Sequence, residues 1–287
     1  DIKDCHVDDA VSIYALLIEE PEAHLHPQLQ VNLYNFLKNA DDSENSQTFI
    51  TTHSPTLTSK IPLENLILLK DNAAFHVGDC FVNRHTENIV RDVSNHNRKL
   101  MEDEVKSYRK MIARYFDVTR SQLLFSNGCL FIEGISECQL METFSKLMGK
   151  SLIDNQIEIV DTDGTAFYQF LMLFNSSNDK VRLPMRAAFI TDEDQFTDSK
   201  DKEYNLDALC ANDYAQLAVL RNGINVGSMN GRVNNMNAMA NGQAGIKICS
   251  GVKTLEYQIC KANVFAGQEA TKGTWLYELI RSENAVQ

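Results

Sequence analysis

FIEG at Phe131–Gly134 and ITDEDQ at Ile190–Gln195 are two apolar stretches that each run straight into carboxylates. A buried strand normally ends in turn residues, so acidic side chains at two strand tips point to something bound there. Glu133, with Glu137 one helical turn on, and Asp192 with Asp194, alternate residues of an extended segment, are candidate ligands for hard metal ions. The segments around them alternate in type. Cys129–Ile132 reads as a strand, and Ser136–Met148 as a helix with Leu140, Met141, Phe144, Leu147 and Met148 on its buried side. Ile157–Val160 reads as a strand, Ala166–Phe174 as a helix and Ala187–Ile190 as a strand. Such alternation defines an α/β fold with its functional residues at the carboxyl ends of the strands. Gly134 is read as letting the backbone turn sharply into the helix. Glu137 falls in the first helical turn, where the dipole favours a carboxylate whether it binds an ion or only caps the helix.

Toward the amino end the same grammar recurs. Tyr14–Ile18 (YALLI) meets Glu19-Glu20-Pro21-Glu22, and AHLHPQLQVNLYNFLK follows with Leu29, Leu33, Phe36 and Leu37 at helical spacing. Gln47–Thr51 is a second candidate strand, ending in Thr52-His53-Ser54-Pro55, and Leu66–Leu69 a third. A carboxylate pair at one strand tip and a histidine at the next suit nucleotide hydrolysis: one carboxylate holds the Mg²⁺ hydration shell, the other polarises water, and the histidine touches the terminal phosphate. No G-x-x-x-x-G-K-[ST] loop occurs anywhere in the chain. His24 and His26 read as ordinary surface or packing histidines. Asp71–Asn97 is mixed and polar, and Lys99–Phe116 reads as a bridging helix.

Composition bounds the chemistry. The chain has 287 residues, 44% of them hydrophobic, with 39 acidic against 27 basic side chains and a formal net charge of −12. A nucleic-acid binder usually presents a basic face, but acidic residues that hold metal ions are neutralised only when the ions bind. Seven cysteines without a C-x-x-C pair, in settings such as GCLFIEG and IKICSG, read as small buried thiols rather than disulfides or zinc ligands. All seven histidines lie in the first 96 residues, so acid–base work in the second half falls to carboxylates, lysine or metal. Arg221–Gly251, rich in Asn and Gly, reads as a mobile loop whose Arg221, Arg232 and Lys247 either meet a nucleic-acid backbone or sit idle. Asp161 and Asp163 read as turn formers beside Gly164, and Glu193 as pointing away from the site. No stretch reaches the roughly 18 apolar residues of a membrane span, and the start lacks a signal peptide, so no membrane and a cytoplasmic location are expected.

LLIEEPEAHLHP and TTHSP resemble the Walker B and switch-histidine end of an ABC-type ATPase, in the branch of RecF- and SMC-like proteins. The resemblance makes Glu19 the magnesium-side carboxylate, Glu20 the catalytic one and His53 the phosphate sensor. With the phosphate loop absent, the N-terminal ATPase part is expected to be missing or to lie in another chain. The order strand-Glu-Gly, helix, strand-Gly, helix, strand-Asp-x-Asp resembles the Toprim fold, and RYFDVTRSQLLFSNGCLFIEGISE looks like the OLD (overcoming lysogenisation defect) family. Two later pieces, VKTLEYQI at Val252–Ile259 and TKGTWLYELI at Thr271–Ile280, extend that likeness. They imply a further acidic ligand, Glu256, and a catalytic lysine, Lys272, with Lys253 a weaker competitor.

The implied fold is α/β: a partial ABC-type ATPase segment over residues 1–70, a connecting region over 71–122, and a Toprim domain with a Rossmann-like, largely parallel sheet over 123–287. The implied activity is DNA cleavage by two Mg²⁺ or Mn²⁺ ions, regulated by the ATPase module, in anti-phage defence or DNA processing. ATP is a cofactor only when the missing ATPase part is present. Expected partners are DNA, further copies of the chain in a homo-oligomer, and an accessory defence-system protein. The rival expectation is an ATP-gated oligomerisation module whose metal site is regulatory or inactive.

Overall fold

The computed structural model describes residues 14–40, 46–82, 89–91, 97–99, 101–116, 120–164, 166–176, 178–193, 231–240 and 242–251, together with 254, 255, 258 and 259. In the first part, β1 (Tyr14–Glu19) and β2 (Ser46–Thr51) pair in parallel, joined across α1 (Pro27–Ala40). Their register sets Glu19 opposite Thr51, which brings the acidic tip and the Thr52–Pro55 turn to one end of the pair. Helix α2 (Pro55–Thr58) starts there, with Ser54 as its N-cap accepting from the Leu57 amide at 3.2 Å.

β3 (Ile67–Lys70) departs from expectation. It pairs antiparallel with β4 (Ala73–His76), not with β1 or β2. The two-residue connection Asp71-Asn72 has φ of 50° and 59°, and two successive left-handed residues make the type I′ turn that matches strand twist. The Asp-Asn signal lay in a stretch read simply as polar. Beyond α3 (Asp79–Val82), β5 (Ile89–Arg91) and β6 (Asn97–Lys99) form a second small hairpin, and the bridging helix is α4 (Glu102–Tyr115).

The second sheet positions the site. β7 (Gly128–Ile132), α5 (Ile135–Leu147), β8 (Ile157–Asp161), α6 (Phe167–Leu171), β9 (Arg186–Asp192), α7 (Gly231–Ala240) and β10 (Ile246–Gly251) follow one another, and the strands lie in the order β10-β9-β7-β8, all parallel. From β7 the chain goes to β8 on one side and then crosses back to β9 on the other. The order therefore reverses between β7 and β9, and the crevice of such a sheet opens at the carboxyl ends on either side of that reversal. Right-handed crossovers in opposite directions place α5 and α6 on opposite faces.

Every residue of β7 is buried, as a strand covered on both faces requires. Phe131 stacks on Phe189 of the neighbouring strand at 4.6 Å between centroids and packs against Phe170 and Phe174 of the α6 region. This core does not stop at the sheet: Leu63, Leu66, Val77 and Cys80 join Val105, Ile112 and Phe116 and continue into Phe131, Phe170 and Phe189 as one cluster.

Three expectations are corrected here. Arg221–Gly251 is not all loop, because it contains α7 and β10; residues 221–230 lie outside the described residues. Asn lowers helix propensity, but Val233, Met236 and Met239 recur at helical spacing and are buried, and burial outweighs propensity. On α5, Leu147 and Met148, the last helical residue and its C-cap, are 80% and 74% exposed. Gly134 has φ −164° and ψ −174°, extended backbone open to any residue, so no glycine-specific turn exists there.

Candidate functional site

Glu133 follows directly on β7, and parity decides what it meets. Side chains alternate along a strand, so Glu133 shares the face of Phe131, and Thr191 on β9 shares that of Phe189, its stacking partner. Glu133 Oε1 accepts from the Thr191 hydroxyl and, at 3.0 Å, from the Asp192 amide. The carboxylate thus continues the hydrogen-bonding ladder beyond the last backbone pair. On the other side of β7, the Thr162 amide and hydroxyl both donate to the Ile132 carbonyl, at 3.0 and 2.8 Å, and the Gly164 amide donates to the Glu133 carbonyl at 2.8 Å. The backbone beneath Glu133 is fixed from both neighbours.

A cation completes this cluster. Arg232, in the first turn of α7, places Nη2 3.0 Å from Glu133 Oε1 and also donates to the Asp192 carbonyl, with 15% of the arginine and 20% of the glutamate side chain exposed. Asp192 meets the cluster through its backbone. Its carboxylate lies beside β10, where Oδ1 stands 3.2 Å from the point a Cβ on Gly251 would occupy, with Gln258 Cγ 3.3 Å from that same point. Gly251 therefore leaves room for Asp192. Glu193 turns toward the same edge strand: it is 8% exposed, its amide donates to the Gly251 carbonyl, and its Oε1 accepts from Ser250 Oγ at 2.5 Å. Glu137 is buried in the first turn of α5.

The structure thus brings Glu133 and the Asp192 backbone together, with Glu137 one helical turn away. Asp194, Glu256, Lys272, Lys253 and Arg221 lie outside the described residues. Asp161 forms an Asx turn, its Oδ1 accepting from the Asp163 amide at 2.8 Å, while Asp163 itself adopts φ 54° in the exposed loop. Thr191 was not singled out from sequence, although it stands in the quoted ITDEDQ, and a hydroxyl one residue before an acidic tip is a usable signal; Glu193 was read as pointing away from the site, and it faces Ser250 and Gly251. Arg232 was noted only as a loop cation; its partner depends on where α7 packs.

Glu133, Glu137 and Asp192 supply hard oxygen donors at neighbouring strand and helix ends, and Glu133 already holds a positive charge, so the donor chemistry fits a divalent cation. Among the described residues no three Asp, Glu, His or Cys side chains gather into a group that closes a coordination shell.

At the other end of the chain, Glu20 Oε1 lies 3.5 Å from His53 Nε2, and Glu20 adopts φ 41° with its amide on the Thr51 carbonyl. Glu19 is exposed at the end of β1. Glu22, which drew no attention in the sequence, is 8% exposed and accepts from the Thr52 hydroxyl and, at 3.1 Å, the His53 amide. It ties the acidic tip to the histidine turn. His53 also lines a cleft of about 480 Å³ whose far wall is Gln156, Ile157 and Glu158, the amino end of β8 and hence the end of the sheet opposite Glu133.

Comparison with known proteins agrees with both halves. Residues 8–58 match the AAA ATPase domain, and residues 124–194 the Toprim domain of overcoming-lysogenization-defect-like proteins. An OLD nuclease of Thermus scotoductus is 26% identical over 56% of this chain and 28% of its own length. The endonuclease GajA of Bacillus cereus is 29% identical over 65% of this chain and 27% of its own length. The C-terminal region of the Burkholderia pseudomallei OLD protein overlaps 57% of this chain and 78% of its own at 17% identity, with a TM-score of 0.29. Residues 8–58 are thus similar to an AAA ATPase domain and residues 124–194 to the Toprim domain of OLD-like proteins, and the α/β fold class and the OLD resemblance read from the sequence stand. It spans little more than a quarter of the length of those curated relatives. Among the described residues no helix is long and apolar enough to cross a membrane.

Proposed function

We propose that this chain is the nuclease end of an OLD-type protein, hydrolysing phosphodiester bonds of DNA with Mg²⁺ or Mn²⁺ at Glu133, Glu137, Asp192, Asp194 and Glu256. The observation that carries the reading is the seating of Glu133 and Asp192 on adjacent parallel strands at the point where strand order reverses. Both relatives above are named as nucleases. Bound there, divalent ions would neutralise phosphate charge and make water a nucleophile at neutral pH. The protein's part is to hold the carboxylates: Thr191 and the Asp192 amide orient Glu133, and Gly251 leaves space for Asp192. Lys272 is assigned the electrostatic role toward the scissile phosphate. Glu19, Glu20 and His53 form the nucleotide-facing part of an ATPase module completed by further sequence, and ATP is needed only in that complete form. The proposed division is ATPase segment 1–70, connector 71–122 and Toprim domain 123–287. Anti-phage defence or DNA processing, a homo-oligomer and an accessory defence-system protein complete the reading.

The test is plasmid nicking in Mg²⁺ or Mn²⁺. Glu133→Gln and Asp192→Asn, which keep shape and remove charge, are expected to lower cleavage by at least about a hundredfold with the fold retained by circular dichroism. Undiminished cutting by both variants defeats the site assignment. The alternative, an ATP-gated oligomerisation module with an inactive or regulatory metal site, draws on the ion pair that already satisfies Glu133. It is the outcome if the protein binds Mn²⁺ by calorimetry yet leaves DNA intact.

A further inference from the structure

At the carboxyl ends of β7 and β9 the protein sets a cation of its own against the carboxylate that the proposed function gives to a metal. Arg232 Nη2 lies 3.0 Å from Glu133 Oε1 and also donates to the Asp192 carbonyl, and both partners of the pair are largely withdrawn from solvent. The same Oε1 accepts from Thr191 and from the Asp192 amide. A hard divalent ion bound at Oε1 would sit about 2.0–2.6 Å from it and need the lone pairs these donors occupy. It also repels a guanidinium at hydrogen-bond distance, and in a half-buried pocket that repulsion is weakly screened. The ion and Arg232 cannot hold Glu133 Oε1 together.

We propose that Arg232 is the resident counter-cation of this acidic pocket: it neutralises Glu133 in the metal-free protein, and a divalent ion must displace it in order to bind. The inference deepens the metal-dependent reading above and rests on it. Physically, the arrangement removes the cost of a largely buried carboxylate without a partner while leaving the pocket able to take an ion. Arginine suits the task because a single guanidinium nitrogen carries two N–H donors, and Nη2 here reaches both the Glu133 carboxylate and the Asp192 carbonyl. Displacement also frees a guanidinium beside the place where a phosphate would bind.

A competing role, in which Arg232 merely orients Glu133 for the ion, predicts the opposite sign on substitution, which makes the proposal testable by Mn²⁺ titration calorimetry. Arg232→Met is expected to bind Mn²⁺ more tightly than the parent, on the order of tenfold, while Glu133→Gln weakens binding by a similar factor. Equal or weaker binding by Arg232→Met, with Glu133→Gln still impaired, overturns the displacement and leaves the metal reading standing. Unchanged binding by Glu133→Gln, or no binding by the parent, overturns the metal reading and the proposal together. Should Arg232→Met fail to fold, the unmutated protein decides. The Arg232 Nε–Hε NMR resonance is expected to shift or broaden as Mg²⁺ is added to saturation, and a resonance that stays in place overturns displacement.

Discussion

Glu133 completes a β-ladder with its side chain, and the arrangement shows why single residues at this site differ in how readily they are read. An apolar strand that ends in Glu is anomalous in sequence alone, so Glu133 and Asp192 were visible. Thr191 became visible only when its hydroxyl was seen on Glu133 Oε1. Glu22 received no role from the sequence, yet it is buried and holds the histidine turn.

Burial pushes the Cys129 thiol up to about 12, with the carboxylate of Glu158 adding to the rise. The neutral thiol is thus the favoured form in the folded state, and a folded pKa above the unfolded one means that its contribution to stability is complete below the unfolded value of 9.0 and is lost as pH rises toward 12. Near neutral pH, thiol reagents are expected to label exposed Cys249 in the native protein and Cys129 only after denaturation, as read by peptide mass spectrometry. The exposure of Cys249 also corrects the reading of IKICSG as a buried setting, since among the described residues β10 lies at the edge of its sheet. Glu158, on the wall of the cleft that His53 lines, is raised above the usual carboxylate value by desolvation. Its charged form is the one burial disfavours, so Glu158→Gln is expected to raise the melting temperature at neutral pH. That gain should vanish in acid strong enough to protonate ordinary carboxylates, which thermal melts at the two pH values would check.

Among the elements, β7 and β9 bear most of the packing. Phe131 contacts Phe170, Phe174 and Phe189 and is fully buried, so Phe131→Ala is expected to cost about 3–5 kcal/mol in denaturant unfolding. The β-α alternation was legible because strands covered on both faces are apolar throughout and their helices carry a 3.6-residue period. α7 was not legible. Its Asn-rich composition argues for a loop, and only the buried row of Val233, Met236 and Met239 makes it a helix. The β3–β4 hairpin was misassigned for a related reason, since a short apolar run does not say which strand it will pair with.

Across the whole molecule, one core cluster runs from Leu63 through the bridging helix to the Toprim sheet. Further links tie the β3 and α2 regions to the segment that leads into β7: Lys70 Nζ donates to the Ser126 carbonyl at 2.8 Å, and Ser121 Oγ to the Pro55 carbonyl at 2.9 Å. Ile112 on α4 lies in this cluster and is fully buried. Ile112→Ala is accordingly expected to destabilise the protein by about 2–5 kcal/mol and to lower the unfolding midpoints seen by far-ultraviolet dichroism and by aromatic signals from the Toprim core together. A change confined to one probe would show that the halves unfold separately.

By itself the sequence determined the class of fold, the two strand tips that carry acid and the likeness to an ATPase followed by a Toprim domain, because strand burial and helical period are local and leave their pattern in the chain. Only the tertiary structure decided that β9 lies beside β7, that α7 forms at all and that Arg232 reaches Glu133. Those outcomes depend on which surfaces bury one another, and the partners are some forty to a hundred residues apart in the chain.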